Sequence, residues 1–105
     1  MPGFLLIESR DPFESKAFSR RCDLALTLAA ETNVTLFLVE NAVLGARVGA
    51  KAQDLEKLSK AGVRLLADAF ALRERGIKEL APNVVSTGLD TLIGELAGGA
   101  KALWN

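Results

Sequence analysis

The sequence predicts a single α/β domain, a three-layer sandwich in which helices cover both faces of a mostly parallel, five-stranded sheet. Three observations lead there. Phe4–Ile7 and Val34–Val39 are nearly continuous apolar runs rather than alternating ones, the mark of parallel strands covered on both sides. Helical stripes fill the stretches between strand segments, so the chain reads as βαβ units joined by right-handed crossovers. The 105 residues accommodate one core of normal size, and no repeat, linker or low-complexity tail divides them. Residues 1–105 therefore read as one domain.

Phe4–Ile7 is the first strand segment, Val34–Val39 the second and Val63–Ala67 the third. Asn83–Ser86 and Ala100–Trp104 are weaker fourth and fifth candidates. From Ser15 to Glu31, Phe18, Cys22, Ala25 and Ala29 recur at helical spacing, and Leu24 and Leu28 widen that face. Ala52, Leu55, Leu58 and Ala61 form a second stripe, stopped by Gly62. Leu89, Leu92, Ile93 and Leu96 form a third, stopped by Gly98 and Gly99. Asn41–Val48 and Ala69–Arg75 are shorter helical candidates, the latter ended by Gly76.

Composition narrows the chemistry. Thirteen basic residues balance thirteen acidic ones, so the surplus positive charge of a nucleic-acid surface is missing. Half the residues are apolar, which argues against disorder, yet no apolar run reaches the roughly 18 residues of a membrane span. The start, Met1-Pro2-Gly3-Phe4, lacks the basic region and cleavage site of a signal peptide, so a cytoplasmic location is expected. There is no His, which excludes imidazole triads and His-containing metal sites, and no Tyr. One Cys forms neither an internal disulfide nor a CxxC pair. No metal or cofactor is expected.

In such a sheet the functional crevice lies beyond the carboxyl ends of the strands. Those ends are Glu8–Phe13, Glu40-Asn41, Asp68-Ala69 and Thr87-Gly88. Glu8, Asp11, Asn41 and Asp68 are thus the crevice candidates. The loop after the first strand has no glycine to bring N–H groups to a phosphate, and its carboxylates oppose one; Asp11-Pro12 reads instead as a helix-starting turn. Glu8, Asp11 and Asp68 invite comparison with a phosphoryl-accepting receiver domain. Against that stand the sixty residues from Glu8 to Asp68 and the lack of a Lys after the last strand segment. Asp68 has a plainer role as N-cap of the helix that follows. Cys22 lies in the apolar seam of the first helix, where a thiol serves as a small core residue with raised pKa.

Several segments, taken in order, resemble a known family. They are the short first strand followed by Asp11-Pro12-Phe13-Glu14 and an Ala/Leu helix; Val34–Glu40 running into Asn41-Ala42-Val43; Ala61-Gly62-Val63 before the third strand; Leu72–Ile77 with its Arg75-Gly76; and Leu89–Leu92 before a closing strand with Trp104. Together they resemble the DsrE/DsrF/DsrH sulfur-relay proteins, which include the TusB, TusC and TusD subunits. The likeness is greatest to the small DsrH/TusB type. It implies a parallel α/β sandwich that assembles into homo- or hetero-oligomers with related subunits. In the sulfur-carrying members a Cys ends the third strand, eight residues before the glycine of the Arg-Gly pair. Here that position is Asp68, and a carboxylate holds no persulfide. The resemblance therefore implies an accessory, non-catalytic relay subunit, with related subunits and a sulfur-carrier protein as contacts, while the charge balance and short apolar runs lead to no nucleic-acid or membrane partner being expected. Some members carry a Cys in the first helix, so a sulfane-sulfur carrier using Cys22 is the alternative. A small-ligand domain with its crevice near Asp68 is a third. The nine residues Ala42–Ala50 contain one charge, and this segment is expected at a subunit interface.

Overall fold

The computed structural model describes residues 3–14 and 16–104. Five strands form: β1 (Phe4–Glu8), β2 (Val34–Leu38), β3 (Arg64–Asp68), β4 (Val84–Thr87) and β5 (Lys101–Trp104). Four α-helices connect them: α1 (Ala17–Ala29), α2 (Ala52–Lys60), α3 (Ala69–Glu74) and α4 (Leu89–Ala97). The strands lie in the order β4-β3-β2-β1-β5, and every pairing is parallel. The expected strands and helices are all present, within a few residues of their sequence bounds. One element differs in kind. Glu40–Ala46 winds as a 3₁₀ helix, without the α-helical turns expected over Asn41–Val48.

Strand order explains the sequence pattern. β2 is buried along its whole length and β1 nearly so, because each has a strand on either side and cover above and below. Apolar side chains therefore suit every position. β4 and β5 are the sheet's edges and largely exposed, which is why their sequences gave a weaker signal.

The two faces are covered unequally. On one, Leu6, Leu36, Leu38 and Leu65 pack with Phe18, Cys22 and Ala25 of α1, Leu55 and Leu58 of α2, and Leu72 of α3. On the other, Leu5, Ile7, Phe37, Val39 and Leu66 are covered by Leu92 of α4 together with Ala100 and Ala102. The three layers are real, but the second helical layer is one helix, and it buries none of its own residues.

The Ala42–Ala50 segment is not the surface its composition suggested. Ala42, Val43 and Ala46 are fully buried in this chain's own core. The 3₁₀ helix fits beneath the β1–α1 loop so closely that a Cβ on Gly45 would meet Phe18 and Pro12 at 3.2–3.3 Å. Its apolar character reflects internal packing; of its large apolar side chains only Val48 is well exposed.

Candidate functional site

The carboxyl edge of the sheet brings the crevice candidates to one end of the molecule, but each is held by a different local partner. Glu8 ends β1 and is completely buried. Such a carboxylate needs charged or N–H partners to offset its desolvation. It accepts from Arg21 Nε at 3.4 Å and from the Arg10 backbone N–H at 3.3 Å. Asp11 is turned into its own loop, where Oδ1 accepts from the Phe13 N–H at 2.8 Å. This Asx-type turn directs the chain toward α1.

At the end of β2 the backbone takes an unusual shape. Glu40 has φ +48°, a left-handed conformation that non-glycine residues rarely adopt. It turns the chain from the strand into the 3₁₀ helix. The next residue, Asn41, presents Oδ1 to Arg75, accepting from Nη2 at 2.8 Å and from Nε at 3.3 Å. Arg75 Nη1 donates to the Ala71 carbonyl at 3.2 Å, so the pair ties the β2 end to the end of α3.

Asp68 closes β3 and is buried, with Oδ2 accepting from the Ala71 N–H at 3.2 Å. It is the N-cap of α3, the one α-helix whose cap residue makes a side-chain bond among the described residues. Beside it, Thr87 and Thr91 hydroxyls lie 2.6 Å apart at the end of β4. Cys22, on α1, is 3 % exposed. Burial pushes its thiol up to about 12, helped by the negative charges of Asp54, Asp23 and Glu8 and opposed by Lys51. At neutral pH it is a thiol, a poor nucleophile.

The arrangement therefore brings Glu8, Asp11, Asn41 and Asp68 to one rim without directing them at one point. Among the described residues no three acidic or Cys side chains are placed to share a metal ion. The sequence reading missed Arg21 and Arg75, which hold Glu8 and Asn41. A signal existed for the first: an acidic residue ending a buried strand needs a charged or N–H partner, and the basic residues that follow it include Arg20 and Arg21 on α1.

No protein-family model matches this chain, and no curated protein matches it. Solved structures do. The YchN protein of E. coli superposes with a TM-score of 0.91 over 100% of both chains at 22% identity. The fold is DsrE-like. MTH1491 of Methanobacterium thermoautotrophicum, a protein of unknown function, shares it with a TM-score of 0.84 at 17% identity, over 99% of this chain and 98% of its own. BT1422 of Bacteroides thetaiotaomicron, also of unknown function, gives 0.77 at 17% identity over 96% and 93%. At these identities the likeness is one of fold. DsrE-like architecture accounts for the all-parallel sheet and for the rim on which the candidate residues lie. Among the described residues no helix is long and apolar enough to cross a membrane.

Proposed function

We propose that this chain is an accessory, non-catalytic subunit of the sulfur-relay kind, working through contact with other subunits rather than by carrying sulfur. The observation that supports the reading most is Asp68. At the end of β3, where the sulfur-carrying relatives suggested by the sequence resemblance hold a thiol, the side chain is a carboxylate engaged in capping α3. A persulfide forms when a thiolate attacks sulfane sulfur, and neither Asp68 nor the buried Cys22 offers a thiolate at neutral pH.

A second feature supports action by contact. Leu89, Ile93 and Leu96 of α4 are each more than two-fifths exposed. The register sets Val85 level with Leu66 and Trp104 level with Ile7, so both edge residues stand on the α4 side of the sheet. The result is an apolar ridge running across the thinly covered face. A second copy of the chain is its proposed occupant, since a formal net charge of zero leaves no overall self-repulsion.

The test is exposure of native protein to a persulfide donor, followed by intact-mass measurement. The expected spectrum shows no added sulfur on the folded chain, with Cys22 modified only after unfolding. Rapid addition of one sulfur atom to the native protein would refute the non-carrier reading.

A further inference from the structure

We infer that the cleft between the β1–α1 loop and the start of α1 is a binding site for a small dianionic oxyanion of the phosphate or sulfate type. The cleft has a volume of about 300 Å³ and is lined by Arg10, Ala17, Arg20, Arg21 and Leu24. Three arginines thus line a space large enough for one small molecule.

Charge counting selects the ligand. Glu8 lies beneath and takes up one positive charge through Arg21 Nε. Among the described residues no carboxylate pairs with Arg10 or Arg20. Counting the lining residues and their one ion-pair partner, three positive charges less one negative leave +2, which a dianion matches and a lone carboxylate does not. A polyanion such as nucleic acid would need a basic surface extending beyond this cleft, and the chain as a whole is neutral.

The site is also preorganised. The Arg21 side chain is only 10% exposed and is fixed by Glu8 through Nε, which leaves both Nη nitrogens for a ligand. A guanidinium held this way loses little rotamer freedom on binding and presents a planar fork suited to two oxygens of a tetrahedral oxyanion. Arg10 and Arg20 are exposed and close from the rim. Ala17 and Leu24 supply an apolar wall against which a short organic substituent can rest. The place fits the fold. β1 has β2 on one side and β5 on the other, so the order of strands reverses direction there, and open α/β sheets bind ligands beyond the strand ends at such points. Of the three carboxylates in this loop, Glu8 is paired with Arg21 and Asp11 is bonded within its own turn, while Glu14 is exposed to solvent, where its charge is screened.

The proposal is tested by titrating the intact protein with inorganic phosphate while following the arginine Nε–Hε resonances, with chloride at matched ionic strength as control. Saturable shifts confined to Arg10, Arg20 and Arg21 are expected. The double variant R10Q/R20Q, which removes two exposed charges and leaves the Glu8–Arg21 pair intact, is expected to bind tenfold or more weakly with an unchanged amide spectrum. Repeating the titration with glycerol phosphate separates two sources of the anion. Tighter binding than phosphate identifies a phosphate ester that uses the Leu24 wall, and equal binding identifies the free ion. Shifts no larger than those from chloride, or equal affinity in the double variant, would overturn the site.

Discussion

At the scale of single residues, the buried groups divide into those that hold the rim together and those that a reaction would need. Glu8 belongs to the first class. With no exposure and Arg21 as its charged partner, it resists removal of that partner more than removal of the pair. Arg21→Gln is expected to destabilise the fold by about 3 kcal/mol, because it removes the charged partner of a buried carboxylate; urea denaturation measures this. Asp68 is a smaller term. Asp68→Asn keeps a capping oxygen and should change stability by less than about 1 kcal/mol, whereas Asp68→Ala should cost about 1 kcal/mol. A functional loss in Asp68→Asn with stability intact would make the carboxylate a working group and defeat the accessory reading. Cys22 gives a pH signature. Its folded-state thiol holds its proton up to about 12, above the ordinary value of 9.0, so its contribution is whole below about pH 9 and is lost as pH rises toward 12. Cys22→Ala should remove that part of the alkaline decline in thermal stability; an unchanged alkaline profile would count against a buried thiol. The cap role of Asp68 and the core position of Cys22 were legible because each depends on neighbours within a turn or two. The grips of Arg21 on Glu8 and of Arg75 on Asn41 were not, because they join residues 13 and 34 positions apart and periodicity carries no record of such pairs.

At the scale of elements, chain punctuation does much of the positioning. Gly62 and Gly76 adopt φ +89° and +65° just past the ends of α2 and α3. In both, the glycine N–H and the next N–H bond back to the last turn: Gly62 to Ser59 and Val63 to Leu58, Gly76 to Arg73 and Ile77 to Leu72. These are Schellman closures, with Val63 against Leu58 and Ile77 against Leu72 as the apolar contacts that accompany them. Each sets where the next segment begins, and Gly62 thereby fixes the start of β3 and the placement of Asp68. Both glycines were visible in the sequence as helix stops. The left-handed Glu40 was not, since nothing in an acidic side chain signals positive φ. Glu40→Gly should relieve that conformation and raise the melting temperature, by up to about 1 kcal/mol in stability, while Glu40→Ala should not. Equal effects of the two substitutions would mean the backbone there carries no strain. The 3₁₀ helix after Glu40 shows the complementary limit. Its apolar content was plain in the sequence, but whether it turned toward its own core or a neighbour depended on the Pro12 loop packing over Gly45.

At the scale of the whole molecule, the sheet has one well-covered face and one thinly covered face, and the proposed assembly follows from that asymmetry. The sequence revealed that helices alternate with strands, but not how they would be shared between faces, because each helical stripe reads alike whichever side it packs against. Three helices and the 3₁₀ segment gather over Leu6, Leu36 and Leu65, while α4 alone crosses Leu5, Ile7 and Phe37. A helix in that position would be expected to show water a polar outer side. α4 instead exposes Leu89, Ile93 and Leu96, with Ile93 the most exposed of them at 65%. Contiguous apolar surface of this kind on a small domain marks a contact site. Because Ile93 makes little contact within its own chain, replacing it should affect association far more than folding. Ile93→Glu places a charge in the middle of the ridge, where it would be desolvated without a partner on assembly. Light scattering should show wild-type protein at a multiple of the 11.2 kDa chain mass and Ile93→Glu at the chain mass, with thermal stability at low concentration nearly equal. A wild-type chain that stays monomeric at every concentration would remove the second copy from the α4 face and with it the subunit-contact reading of the fold.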